Sequence, residues 1–208
     1  MQEKKREAIP PITAKNAWNH FRTITKHKAI VARECFSVGL YRQGLLHDMS
    51  KYSPTEFLVG ARYFQGDRSP NNREREVTGL STAWLHHKGR NLHHYEYWLD
   101  YTTRTDGGIN GSGIIPCRMP GRYVVEMFLD RVAASKVYRG KDYTDADPWK
   151  YYATGNTRRF LYPDTADLLE KLLLMLRDEG EEKTFAYIRS HLYQKPLLPK
   201  KKGRDRKR

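Results

Sequence analysis

The sequence predicts an all-α protein, a single helical-bundle domain interrupted by one long glycine-rich loop. Three observations carry this. Apolar residues recur at three- and four-residue steps in several segments, the period of a helix that buries one stripe. No run alternates for long enough to make a convincing strand, and no internal repeat is visible. The 208 residues suffice for one hydrophobic core and are too few for two comfortable ones. Fourteen Tyr, 7 Phe and 4 Trp supply enough apolar area to exclude disorder throughout, while 30% charged residues leave a strongly polar surface.

Residues 13–194 are assigned to the domain, behind a flexible lead-in at 1–12 and ahead of a basic tail at 195–208. The first helix is marked by Trp18, Phe21, Ile24, His27, Val31, Cys35 and Val38, so His27 faces the core side. Gly39 and Gly44 punctuate the chain, Leu45 and Leu46 lead into His47 and Asp48, and Ser53-Pro54 starts a helix containing Glu56, Phe57 and Tyr63. A loop at 67–72 precedes a helix over 74–87. On it Leu80, Ala83, Trp84 and His87 share a face, which makes His87 the inward histidine and His86 the surface one.

A short aromatic helix over 93–101 carries Tyr95, Tyr97 and Trp98, whose spacing fits core packing better than stacking on a base. The glycine-rich break at 106–121 is either mobile decoration or a functional flap. Residues 122–138 form the clearest late helix, with Glu126, Asp130, Ala133, Ala134 and Val137 along one side. Helices over 165–179 and 182–193 complete the bundle, and Pro196 and Pro199 end regular structure.

Charge and cysteine usage narrow the function classes. Cys35 and Cys117 have neither CxxC nor finger spacing, which removes a thiolate zinc site and a disulfide framework and makes a reducing cytoplasm the expected compartment. No apolar stretch follows Lys4, Lys5 and Arg6, and none reaches bilayer-spanning length, so neither secretion nor a membrane partner is expected. The formal net charge is +14, but eight basic residues stand against Asp205 alone in 195–208, so half the excess is a tail. Such a tail stays solvated or touches nucleic-acid phosphates nonspecifically.

The residues that carry chemistry are His27, His47, Asp48, His87, one of the pair His93 and His94, and Asp130. Imidazole and carboxylate together suit borderline divalent ions such as Mn, Fe, Co, Ni or Zn, whereas an all-oxygen set would point to Mg or Ca. The candidates come from separate helices and converge only if the bundle closes around them.

The order His, His-Asp, His, His, Asp, each at a helix-sized separation, resembles the ligand pattern of the HD-domain superfamily of metal-dependent phosphohydrolases. The likeness is sharpest at His47-Asp48-Met49-Ser50-Lys51, where a lysine follows the His-Asp pair by three residues, and it spans residues 18–138. The run from His87 to Trp98, with Glu126-Met127 before Asp130, is similar to a smaller group of HD-like proteins that brings no known substrate. The Gly-Tyr-Pro signature of cyclic-di-GMP phosphodiesterases is missing.

The resemblance implies a first ion held by His27, His47, Asp48 and Asp130, with Asp48 able to bridge to a second held by His87 and one of His94 and His93, with His94 favoured. It implies a metal-activated water that hydrolyses a nucleotide or other small phosphate ester, with Lys51 stabilising phosphate or the leaving oxygen. Lys51 read on its own is a surface lysine ending a helix. Glu126, one turn before Asp130, either takes part by orienting a ligand histidine or is a glutamate favoured by the helix dipole. Asn91, His93, Arg118 and Arg122 are candidates for gripping the phosphate.

Two other functions compete. A related HD-like di-iron arrangement supports oxygen-dependent cleavage, and a nucleic-acid-associated module would use the helices as scaffold and the basic tail as anchor.

Overall fold

A computed structural model describes residues 8–104 and 107–191. The basic tail, the end of the last predicted helix at 192–193 and most of the lead-in lie outside the described residues.

The chain is mostly helical, as predicted. It runs α1 (Ala14–Ser37), α2 (Tyr41–Leu46), α3 (Pro54–Arg62), α4 (Pro70–Thr78), α5 (Thr82–Lys88), strands β1 (Leu99–Tyr101) and β2 (Ile114–Pro116), then α6 (Gly121–Arg139), α7 (Asp147–Ala153) and α8 (Pro163–His191). Helix α6 is the axis of the bundle. Val124, Val125, Met127, Phe128, Leu129, Val132 and Ala133 are buried on almost every side of it, because α1, α7 and α8 all pack against it. Helix α8 contributes a stripe of Ala166, Leu169, Leu172, Leu173 and Leu176, and α1 contributes Val31 and Cys35. On its other flank α1 meets α3, which carries α4 and α5, so the polar site lies on the seam between these two groups.

Helix α1 starts where Thr13 Oγ1 accepts the Asn16 amide at 3.1 Å, a cap of about 1 kcal/mol. Its buried stripe is His20, Ile24, His27, Val31, Glu34 and Cys35. The expected register is therefore corrected at its start. Trp18 is 60% exposed and Phe21 39%, the two rings stack on each other at the surface, and His20 takes the inward place.

Gly44 does not break the chain. It lies inside α2, where a Cβ would stand 2.9 Å from the Phe36 ring and 3.0 Å from Cys35 Cβ, so its bare backbone lets α2 lie on α1. The predicted loop at 67–72 ends early, since Pro70 opens α4. The predicted helix over 74–87 is two helices, parted at Gly79, whose φ of 89° ends α4. Leu80 consequently turns outward, while Ala83 and His87 stay buried.

The predicted helix over 93–101 is a single 3₁₀ turn, Tyr95–Trp98, running into β1. Strand β1 pairs antiparallel with β2, with Leu99 opposite Pro116 and Tyr101 opposite Ile114. The glycine-rich segment is thus largely the return arm of a short ribbon. Three-residue strands give no readable alternation, and this is why the sequence hid them. Tyr95 and Trp98 pack on the core and Tyr97 is exposed. Helix α7 had no counterpart in the sequence reading. Among the described residues no helix is long and apolar enough to cross a membrane.

Behind the core, Lys136 of α6 bridges buried Glu34 of α1 and Glu181, next to the α8 kink at Gly180. Burial raises the Glu34 carboxyl to about 7 against the pull of Lys136, so this ion pair returns less to Glu34 than desolvation takes. Because the folded state holds this proton more tightly than the unfolded chain, stability falls as pH rises from the unfolded value through 7. Glu34→Gln is therefore expected to raise the thermal midpoint by a few degrees at pH 8 and to change it little at pH 5. A midpoint lowered at pH 8 would show that the ion pair is net stabilising.

Candidate metal centre

Each ligand candidate reaches the seam from a different element. His27 comes from the fourth turn of α1, and His47 caps the C-terminal end of α2. Lys28 fixes that end by donating to the carbonyls of Leu45 and His47 at 2.7 and 2.9 Å. Asp48 follows in the left-handed region, at φ 53°, ψ 26°, and starts the 3₁₀ turn Met49–Tyr52. That backbone costs a non-glycine residue about 1–2 kcal/mol, least for Asp and Asn, and here it swings the carboxylate inward between two sets of imidazoles. His87 comes from α5, His93 and His94 from the turn after it, and Asp130 from α6.

Two of the donor groups that can hold a metal ion share Asp48. His27, His47, Asp48 and Asp130 form one, and Asp48, His87, His93 and His94 the other, with the donor atoms of each within 4.8 Å of one another. In the first, His27 Nε2 lies 2.9 Å from Asp130 Oδ1 and 3.7 Å from Asp48 Oδ2, and His47 Nε2 lies 3.3 Å from Asp48 Oδ2. In the second, Asp48 Oδ1 is 3.2 Å from His87 Nε2 and 3.5 Å from His93 Nε2. The expectation that only one of His93 and His94 reaches the centre is corrected. It assumed a helix, whereas the pair sits in a turn with His94 extended, and the two rings stand 4.2 Å apart on the same side.

The donors fit a cation. Both carboxylate oxygens of Asp48 and His93 Nε2 are buried without a directed hydrogen bond, although Lys51 Nζ forms an ion pair with Asp48 Oδ2 at 2.5 Å. His27 Nε2 faces His47 Nε2 at 3.4 Å, and His87 Nε2 faces His94 Nε2 at 2.9 Å. Each facing pair needs a proton or a cation between its nitrogens, and a shared cation meets that need. Burial opposes charge on Asp48, yet His47, Lys51 and His87 hold its carboxyl well below the ordinary range. Burial likewise opposes charge on Asp130, which His27 and His47 keep ionised. Burial and the neighbouring His93 and His87 lower His94, leaving it neutral as a ligand must be.

The far sides of the rings are held by carboxylates. Glu126 Oε1 accepts from His47 Nδ1 at 3.0 Å and lies 3.3 Å from His93 Nδ1, so one oxygen orients a ring in each cluster. Glu56 Oε2 accepts from His87 Nδ1 at 2.8 Å, and its Oε1 from His86 Nδ1 at 2.6 Å. This arrangement fixes the tautomer that turns Nε2 toward the centre. Glu126 thus also forms a third donor group with His47 and His93.

His86, expected at the surface, is half-buried on Glu56. Asn91, expected to grip substrate, instead donates to the His87 carbonyl and to Ser50 Oγ, both at 2.9 Å, and so secures α5 beneath the centre. The structure does not bring Arg118 or Arg122 to these donors. Arg118 pairs with Asp164, and exposed Arg122 lies over the Tyr123 ring. Glu56 and His20 were missed as site residues. His20 stands seven residues before His27, two turns along the same face, which was the available signal.

Residues 16–175 match DUF5662, described as a family of unknown function. The chain belongs to this family. The matched region of this DUF5662 protein contains every candidate ligand from His27 to Asp130. No curated protein and no solved structure matches the chain.

Proposed function

We propose that the protein is a metal-dependent phosphohydrolase acting on a nucleotide or another small phosphate ester. The observation that carries this reading is Asp48, whose two unsatisfied oxygens each face a different set of imidazoles, with the Lys51 ammonium beside them. The residue order that resembles the HD-domain superfamily supports it, since those residues stand together here.

One or two divalent transition ions (Mn, Fe, Co, Ni or Zn) would supply Lewis acidity and bring the pKa of water toward neutrality. The chain's own residues do the rest. His27, His47 and Asp130 hold one side and His87, His93 and His94 the other, while Glu126 and Glu56 keep the rings aimed. Lys51 is partly exposed, and burial, which would lower its pKa, is outweighed by the Asp48 charge, so it keeps its proton and can pair with a nonbridging phosphate oxygen. In the hydrolysis, water oxygen forms a bond to phosphorus. The ester P–O bond breaks with its electron pair on the alcohol oxygen, which takes up a proton.

The test is elemental analysis of purified wild-type and His47→Ala protein, then a phosphatase screen with Mn, Co, Ni and Fe in air and without it. Metal in the wild type, its loss in the variant, and phosphate release without oxygen are expected. Equal metal content in both would end the reading. Turnover that requires oxygen would move it to the di-iron oxygenase, which uses the same donors. Polynucleotide affinity that falls steeply with salt and survives loss of the metal would favour the nucleic-acid module.

A further inference from the structure

Beside the second cluster lies a cavity of about 60 Å³ whose wall includes His20, Lys51, Glu56, Asn71, His87 and Tyr138; the Glu56 carboxylate is taken up by the His86 and His87 rings. It touches both a candidate metal ligand and the ammonium paired with Asp48. His20 is 6% exposed, and its Nδ1 is buried with no hydrogen-bond partner. The ring is held against Phe57 and Phe64, with centroids 5.4 and 6.1 Å away. Gly60 makes room for it, since a Cβ there would stand 2.2 Å from His20 Nε2. An aromatic or aliphatic residue would fill such a place without leaving a ring nitrogen unsatisfied. Burial, then the Lys51 charge, lower His20 to about 4, so at neutral pH the ring is an uncharged hydrogen-bonding group.

We propose that this cavity receives the phosphoryl group of the substrate, with Lys51 pairing with one nonbridging oxygen and a ring N–H of His20 donating to another. The size of the cavity also restricts the substrate class. A benzene ring occupies an engineered cavity of roughly 150 Å³, so the enclosed space takes a phosphate-sized group and no nucleobase. The substrate is then a monoester whose phosphoryl end is enclosed and whose alcohol portion stays compact or projects outward. This rests on the phosphohydrolase reading.

The probe is inorganic phosphate, titrated calorimetrically into metal-loaded wild-type, His20→Leu and Gly60→Ala protein. Leucine suits the apolar surroundings of residue 20, and Gly60→Ala displaces the ring without removing it. Both variants are expected to keep wild-type metal content and to bind phosphate about tenfold more weakly, the loss of one hydrogen bond to a charged group. For any monoester turned over, KM rises by a similar factor and more than kcat falls. Unchanged phosphate affinity in His20→Leu, with metal still bound, overturns the cavity assignment and leaves the hydrolase intact. Weakened phosphate binding in a protein that hydrolyses no monoester sustains the cavity as an anion site and removes the hydrolase.

Discussion

Asp48→Asn is expected to strip the protein of metal and to lower phosphatase activity by on the order of 10³-fold or more. Asparagine tolerates the left-handed backbone seen at this position, so the substitution separates chemistry from folding better than alanine would. What it removes is the negative charge shared by both clusters, and it replaces one acceptor oxygen with a donor facing His27 and His47 or His87 and His93. Without that charge the imidazoles face one another, and Lys51 loses its partner. Metal content by elemental analysis and far-UV circular dichroism check this together. An unchanged spectrum with little metal is the expected pair, and wild-type metal content would show that Asp48 bridges nothing.

Glu126→Gln should weaken metal binding 10–100-fold, the usual cost of removing a carboxylate behind a ligand histidine. The effect is large because one oxygen serves both His47 and His93. A glutamine that turns its amide nitrogen toward the rings favours the opposite tautomer, placing the ring proton at Nε2, where the cation should sit. On the proposed function, with Glu126 acting only through its histidines, excess metal should restore most of the activity. Activity that stays low at saturating metal would mean that Glu126 touches substrate and takes a direct part in catalysis.

The legible part of the site was its donor list, and the illegible part was the geometry between elements. His27, His87 and Asp130 were placed inward by helical period alone, and all three point to the seam. His93 and His94 were misjudged because a helix was assumed where the chain makes a turn. Arg118 and Arg122 were plausible by type, but nothing in local spacing says that a neighbour such as Asp164 will take the charge. Trp18 and Phe21 fit the stripe of α1 as well as His20 does, until the position of α3 shows which residues are covered.

The helical class, the inward faces of the long helices and the chemical identity of the donors were determined by the sequence, because side-chain period and ligand chemistry are local properties. Tertiary structure alone decided that Asp48 stands between two clusters, that Glu126 and Glu56 aim the rings, and that His20 closes a small cavity beside Lys51. Those facts depend on how α1, α3, α5 and α6 pack, and packing is fixed by contacts among residues far apart in the chain.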